Sequence, residues 1–260
     1  MMQSTQNLNT LVLEQSDNTA TLYLNRPECS NAFNALMIEE LNSTLDQVAD
    51  QAQCTTLFLK AKGKHFSAGA DLNWMRQQAH MSMAENIDDA RPLAQLMQRL
   101  DTMPQVTIAL VQGCAYGGAL GLIACCDIAV CDPASRFCFS EVKLGLMPAV
   151  ISPYINRAIG QRYSRALMLS AEVFHAQQAH HYGLIHRVCD DLAEMEAHYR
   201  TTCQEHSTHA LQETKALLAH LDQKKIDHAL IDDTVKAIAQ IRTHQDAQER
   251  MASFLSRNKN

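Results

Sequence analysis

Two short loops of small residues have the composition of a site that binds an oxygen atom through the main chain. Ser67-Ala68-Gly69-Ala70-Asp71 and Ala115-Tyr116-Gly117-Gly118-Ala119 each follow an apolar run and precede a helical pattern. Small side chains let a ligand approach the backbone, and the N–H groups at a helix start carry partial positive charge. Glycines in one such loop are more typical of a tight turn. Two loops of this kind favour a site in which they face each other and bind one oxygen.

The second loop also invites a nucleotide-binding interpretation, which its spacing contradicts. It reads G-G-x-x-G from Gly117 to Gly121, without the G-x-G start of a dinucleotide fingerprint. No Gly-Lys-Ser/Thr follows it, as a phosphate-binding loop requires. Both nucleotide-binding interpretations therefore fail.

Glu141 is the carboxylate whose surroundings best suit acid/base chemistry. It follows the run RFCFS and precedes VKLGLMP, which is mostly apolar. A carboxylate in apolar surroundings holds its proton more tightly, as a general acid or base requires. On spacing alone, an edge-strand glutamate that faces solvent is an equally good interpretation.

The histidines and cysteines form no recognisable metal or nucleophile motif. None of the 12 histidines belongs to an H-E-x-x-H sequence, and the 9 cysteines include no C-x-x-C pair. The absence of G-x-S-x-G argues against a Ser-His-Asp hydrolase. We predict no metal site, and we interpret the cysteines as small buried apolar residues in a reducing compartment.

The elements that must position these residues alternate between strands and helices. Strands are predicted at residues 20–24, 55–60, 106–111, 127–130 and 136–139, with helices near 35–52, 84–100 and after the second loop. The strands contain few polar residues, which predicts an α/β protein with a buried sheet. From Pro148 onward helical periodicity dominates, including a long stretch from Asp191 to Leu255. We expect this helical layer to pack on its own core or on a neighbouring subunit.

Composition narrows the class of protein. The 260 residues are 47% hydrophobic and 19% charged, which is typical of a soluble globular protein. A net charge of −6 argues against nucleic-acid binding through phosphate contacts. No apolar run reaches the ~18 residues of a membrane-spanning helix, and the N-terminus lacks the features of a secretory signal. We therefore expect a cytoplasmic protein with no membrane or nucleic-acid partner.

Several motifs together resemble the enoyl-CoA hydratase/isomerase (crotonase) superfamily over essentially the whole chain. They are Asn25-Arg26-Pro27-Glu28 with Asn31-Ala32, FSAGADLNWM, QGCAYGGALGLIACCDIAV, FSEVKLGLMP and AQQAHHYGLIHRV. The resemblance implies a core of repeated ββα units at residues 1–197 and a helical oligomerisation region at 198–260. It further implies a homotrimer, or a hexamer built as a dimer of trimers. The substrate implied is an acyl-CoA thioester, with coenzyme A as part of the substrate and no separate cofactor.

The resemblance also assigns residue roles by position. The backbone N–H groups of Ala70 and Gly118 fall on the family's oxyanion hole, and Glu141 falls on a catalytic glutamate. The implied substrate and CoA contacts are Cys29, Ala32, Ala68, Asp71, Leu72, Tyr116, Gly117, Gly121, Ser140 and Gly145, and nearby lysines could meet the CoA phosphates. An enolate formed on the thioester oxygen is the charge that such amides stabilise, each by ~3 kcal/mol in comparable sites.

One position departs from the family pattern. Typical hydratases of the family carry a second glutamate where this chain has Gly121, and the Δ3-Δ2 enoyl-CoA isomerases keep only the one at the Glu141 position. A second resemblance favours a hydratase over an isomerase. The segment FCFSEVKLGLMPAVISPYINRAIG is similar to bacterial methylglutaconyl-CoA or γ-carboxygeranoyl-CoA hydratases. We therefore predict a hydratase acting on a methylglutaconyl-CoA-like substrate of leucine or acyclic terpene catabolism, with the isomerase as the alternative. A non-catalytic acyl-CoA-binding or RNA-binding trimer is the alternative from another class, and the acidic balance argues against RNA.

Overall fold

A seven-stranded sheet forms the centre of the molecule in the computed structural model, which describes residues 3–16, 18–222 and 224–257. The strands are β1 (Gln3–Asn7), β2 (Leu11–Ser16), β3 (Thr19–Leu24), β4 (Thr56–Ala61), β5 (Val106–Val111), β6 (Cys114–Tyr116), β7 (Ile128–Cys131), β8 (Arg136–Cys138), β9 (Phe174–His175) and β10 (Arg187–Val188). The helices are α1 (Ala35–Ala49), α2 (Leu72–Gln78), α3 (Met83–Asp101), α4 (Gly118–Cys125), α5 (Ser152–Ser170), α6 (Ala176–Tyr182), α7 (Leu192–Glu205), α8 (Thr208–Leu221), α9 (His228–Thr243) and α10 (Gln245–Arg257).

The large sheet has the strand order β1-β2-β3-β4-β5-β7-β10. The first three strands pair antiparallel, and every later pairing in this sheet is parallel. A second sheet joins β6, β8 and β9, with β6 parallel to β8. Strand β6 follows directly from β5, so the chain leaves the large sheet and enters the small one at the second predicted loop.

Alternation along the central strands divides the core between the two faces of the large sheet. In β4, Leu57 and Leu59 belong to the main cluster with α1 and α3, whereas Phe58 belongs to a smaller cluster under α7. Side chains of successive strand residues point to opposite faces, so a strand buried on both sides must be apolar throughout. This burial is the reason for the apolar runs TLFLKA and VTIALV.

The predicted α/β fold is confirmed, with small shifts at element ends. Helix α1 stops at Ala49, three residues before its predicted end, while β5 has the predicted bounds. No strand is predicted before Ala20, yet β1 and β2 form an antiparallel pair there. The sequence of β1, QSTQN, is polar, with residues 4–7 exposed, so it has no apolar alternation, and its strand conformation comes from pairing with β2.

The C-terminal part is helical, as predicted, but it consists of separate helices. The stretch from Asp191 to Leu255 contains α7, α8, α9 and α10, separated by short breaks. The predicted boundary at residue 197 lies inside α7, which packs on the large sheet and buries Cys203 there. Within the described ranges, no helix is both long and apolar enough to cross a bilayer.

Candidate active site

The two predicted loops lie side by side. The Ser67 amide donates to the Cys114 carbonyl at 3.0 Å, and the Tyr116 amide donates to the Ser67 carbonyl at 3.0 Å. Gly69 has φ +94°, and a Cβ built on it would lie 3.1 Å from the Tyr116 carbonyl oxygen. A side chain at this position would therefore strain the backbone and press on the second loop. The small residues allow the two loops to approach each other, as the sequence predicted.

Each loop presents an amide that binds nothing in the described part of the chain. The Phe33 amide donates to the Gly69 carbonyl at 2.7 Å, and the Asp71 amide donates to the Phe33 carbonyl at 2.8 Å. These two hydrogen bonds join Phe33 to the residues on either side of Ala70 and do not use the Ala70 amide. Among the described residues, the N–H of Ala70 has no acceptor, and neither has that of Gly118, the first residue of α4. The structure thus offers two unengaged donors, one of them at a helix N-terminus, where partial positive charge accumulates.

Glu141 lies beside the second loop. It begins a short 3₁₀ helix, Glu141–Leu144, that follows β8, and the Gly117 amide donates to the Cys138 carbonyl at 3.0 Å. A Cβ built on Gly117 would lie 3.3 Å from Glu141 Oε1. The carboxylate therefore stands over the glycine that precedes the Gly118 donor.

The Glu141 carboxylate is desolvated and poorly bonded. Its Oε2 atom is buried and has no hydrogen-bond partner among the described residues. Burial raises the pKa of the Glu141 carboxyl above its ordinary value, and a hydrogen bond from its own backbone N–H offsets part of that rise. This environment suits a group that must both take up and release a proton.

Gly121 lies one turn farther along α4 and is buried. A Cβ built on it would lie 2.3 Å from Ile151 Cγ2 and 2.9 Å from Met97 Sδ. Real Cβ atoms do not approach other atoms this closely, so residue 121 has no room for a side chain unless Ile151 and Met97 both move. The second glutamate of typical hydratases is absent from the sequence, and apolar packing occupies the space beside its position.

The Arg26 guanidinium joins two of the residues predicted to lie along CoA, Ala32 and Asp71. It donates to the Ala32 carbonyl at 2.7 Å and forms an ion pair with Asp71 at 2.9 Å. Asp71 also caps α2 by accepting a hydrogen bond from the Asn73 amide at 2.8 Å. Burial alone would raise the pKa of the Asp71 carboxyl, but these hydrogen bonds and Arg26 hold it below its ordinary value. The Asp71 side chain therefore organises the loop as a carboxylate.

The other predicted contacts surround this loop and the Glu141 segment. Cys29 ends a 3₁₀ turn, the Ala68 amide donates to the Ser30 carbonyl at 2.9 Å, and Leu72 is 70% exposed. Ser140 immediately precedes the Glu141 helix, and Gly145 ends it with φ +72°. Contact of these residues, and of Tyr116, Gly117 and Gly121, with substrate stays a prediction.

Two nearby lysines are already engaged by carboxylates. Lys60 pairs with Glu196, and Lys62 lies 3.5 Å from Glu14 and over the ring of Tyr23. Lys64 is exposed on the same turn. Of the three, Lys64 is the one whose ammonium group is placed in solvent without such a pair among the residues described.

Sequence reasoning assigned no role in the site to two residues that shape it, Asn31 and Ile151. Asn31 is fully buried, accepts from the Arg26 amide at 2.7 Å and donates to the carbonyls of Lys62 and His65, which joins the Arg26 turn to the segment before the first predicted loop. An asparagine just after the predicted turn at residues 25–28 was the available signal. Ile151 gave no signal, because its packing on Gly121 spans thirty residues of chain and appears only in three dimensions.

No group of three or more His, Cys, Asp or Glu side chains in the described ranges lies close enough together to hold a metal ion. All nine cysteines are unpaired, and burial raises the pKa of the Cys125, Cys126 and Cys131 thiols. Neutral buried thiols are poor nucleophiles. The two amides and Glu141 therefore stay the groups predicted to carry the chemistry of the site.

Comparison with known proteins identifies the family. An enoyl-CoA hydratase from Shewanella pealeana superposes with a TM-score of 0.94 at 45% identity, covering 96% of this chain and 94% of that one. The 2,3-dehydroadipyl-CoA hydratase of Escherichia coli is 29% identical over 95% of this chain and 96% of its own length. An Alternaria alternata enoyl-CoA hydratase is 36% identical over 72% of this chain, which spans 60% of that relative. A family model described as enoyl-CoA hydratase/isomerase matches residues 14–260, and the chain belongs to this family of enzymes.

Proposed function

We propose that the protein hydrates a 2-enoyl-CoA thioester, with Glu141 as its one acid/base group. The observation that carries this proposal is the juxtaposition of an unbonded, buried Oε2 of Glu141 with the second of two loops that present unengaged amides. A thioester carbonyl oxygen bound by the Ala70 and Gly118 amides would place the conjugated double bond beside Glu141. The relatives named as enoyl-CoA hydratases support the same reaction class.

The reaction can be written with this one carboxylate. Glu141 takes a proton from water as the water oxygen bonds to the β-carbon. The π electrons of the double bond pass to the thioester oxygen, where the two amides stabilise the enolate. Glu141 then returns its proton to the α-carbon, so that one water is added and the enzyme is regenerated.

For the acyl group, we propose a substrate with a distal carboxylate, such as a methylglutaconyl-CoA-like thioester. The motif around Glu141 supports this class, and the E. coli relative is named for a dehydroadipyl thioester. A substrate carboxylate could help to hold the attacking water where the chain has Gly121 in place of a second glutamate.

The packing of Ile151 on Gly121 favours a second candidate, the Δ3-Δ2 enoyl-CoA isomerase. Moving a double bond requires a proton to leave one carbon and return to another, which one carboxylate can do. With no side chain at residue 121, Glu141 is also the sole carboxylate that the resemblance assigns to this chemistry.

Three thioesters separate these candidates. We expect the wild-type protein to hydrate methylglutaconyl-CoA much faster than crotonyl-CoA and to convert a 3-enoyl-CoA slowly, as followed by thioester absorbance and product chromatography. Fast conversion of the 3-enoyl-CoA with little hydration of either 2-enoyl-CoA would establish the isomerase instead. Equal rates of hydration of the two 2-enoyl thioesters would contradict the proposed role of the distal carboxylate.

We also propose that the protein assembles as a homotrimer, or as a hexamer made of two trimers. Supporting this proposal, the C-terminal helices expose large apolar side chains, including Val235, Ile238, Phe254 and Leu255. Exposed apolar surface of this kind is typical of an interface. Light scattering of the intact protein should give three or six chain masses, and a monomer at working concentration would contradict the proposal.

A further inference from the structure

The segment that carries Glu141 is held mainly at its two ends. Between Glu141 and the start of α5, the side chains of residues 142–147 are all exposed. The Leu146 amide donates to the Glu141 carbonyl at 3.0 Å, which closes the segment on itself and leaves its docking to its ends. On the amino-terminal side, Phe139 is buried and stacks on Phe174 with ring centroids 6.0 Å apart.

The two ends of the segment lie against two glycines that are four residues apart in sequence. Glu141 Oε1 stands over Gly117, and Ile151, which is only 2% exposed, stands over Gly121. Gly117 is the N-cap residue of α4 and Gly121 lies within the helix, so both contacts fall at its N-terminal end. Gly117 has φ +55°, a backbone conformation that favours glycine over residues with a side chain. Gly121 lies inside α4 and has no such positive φ. At Gly121 only the space taken by Ile151 and Met97 excludes a side chain.

No side chain in the described ranges holds the Glu141 carboxylate by a hydrogen bond. Its position must therefore follow from the packing of the segment that bears it. We infer that Ile151 is a positioning residue, which packs against bare Gly121 and thereby holds Glu141 over Gly117, beside the Gly118 amide. This inference rests on the proposed function, in which Glu141 carries the proton.

The test compares two alanine substitutions on the same helix-forming segment. Ile151→Ala removes the side chain over Gly121, and Ile155→Ala removes an equally buried side chain one turn farther on. Both should lower the melting temperature. Only Ile151→Ala should lower kcat, by about tenfold or more with KM little changed, since displacement of a catalytic group by about 1 Å can cost ~100-fold in rate.

The pH profile supplies a readout that lost stability alone would not move. If Glu141 shifts toward solvent in Ile151→Ala, the acidic limb of kcat/KM should move to lower pH, toward the usual pKa of glutamate. Ile151→Val, which keeps most of the contact, should have the kcat and the pH profile of wild type. Ile155→Ala should have them as well. A kcat and profile in Ile151→Ala that match those of Ile155→Ala would overturn the inference.

Gly121→Ala probes the same contact from the other side. Its new Cβ would meet Ile151, so we expect about a tenfold loss in kcat that Gly121→Ala/Ile151→Ala partly recovers. This pair keeps the test valid if Ile151→Ala does not fold, and failure of the second change to recover any activity would contradict the coupling. Glu141→Gln distinguishes failure of the proposed function from failure of this inference. Full activity in that variant would contradict the proposed function. If Glu141→Gln is inactive and Ile151→Ala keeps wild-type kcat, only the positioning role of Ile151 is contradicted.

Discussion

Two carboxylates, the buried Glu40 in α1 and the half-buried Glu141 beside α4, have opposite environments. Glu40 accepts hydrogen bonds from the backbone and side-chain donors of Asn9 and Thr10. Burial alone would raise its pKa, but these four hydrogen bonds hold the pKa of the Glu40 carboxyl below its ordinary value. Within the described part of the chain, the Glu141 carboxylate has only its own backbone N–H as a donor, and burial raises its pKa. A carboxylate with all its hydrogen bonds stabilises the fold, whereas one left without partners is free for chemistry at a cost in stability.

The largest effect on activity should come from Glu141→Gln. This change keeps the shape of the side chain and removes the proton transfer, so kcat should fall by ~10²–10⁴ while KM changes only a few fold. Steady-state kinetics on the hydrated thioester measures both constants. Turnover above about a tenth of wild type would mean that another group carries the proton.

The same variant should not lose stability. The pKa of Glu141 is higher in the folded state than in the unfolded chain, so the native state binds more protons and stability falls as pH rises through the folded pKa. Glutamine removes the buried charge, and the melting temperature at neutral pH should equal or exceed that of wild type. A clearly lower value would show that the carboxylate has a stabilising partner.

Gly118→Pro should have the next largest effect, through the backbone rather than a side chain. Proline is tolerated at the first residue of a helix, and it removes the N–H proposed to bind the enolate oxygen. Loss of one such donor typically lowers kcat by ~10²–10³. Gly118→Ala is the matched control, because it places a similar Cβ, 3.3 Å from Phe33, and keeps the N–H. Equal losses in the two variants would attribute the effect to the contact with Phe33.

Glu40→Gln should give the opposite result to Glu141→Gln. The amide cannot accept from all four donors, so we expect a loss of ~1–3 kcal/mol in the free energy of unfolding with kcat unchanged. Because the folded pKa of Glu40 is lowered, its contribution is present above the unfolded pKa and is lost as pH falls. Denaturant unfolding at neutral and acid pH should therefore show a difference from wild type that shrinks in acid. A difference independent of pH would rule out a role for the ionised carboxylate.

The same comparison shows what the sequence could and could not predict. Glu141 could be found because it stands between apolar runs next to a recognisable motif, and the two loops could be found because their small residues follow strands. Glu40 could not be found, since its partners Asn9 and Thr10 lie about thirty residues away, in a region where no strand is predicted. The contact between Ile151 and Gly121 was hidden for the same reason. Local pattern predicts elements and their ends, whereas long-range packing decides which polar groups are bonded.

The pH dependence of kcat/KM tests most directly whether Glu141, left unbonded in a buried position, is the proton carrier. A general base must be ionised, so kcat/KM of wild type should rise with pH through an apparent pKa above the ~4.3 of an ordinary glutamate. The residual activity of Glu141→Gln should lack this limb, and that of Glu40→Gln should retain it. An acidic limb that persists unchanged in Glu141→Gln would contradict the assignment of Glu141 as the acid/base group.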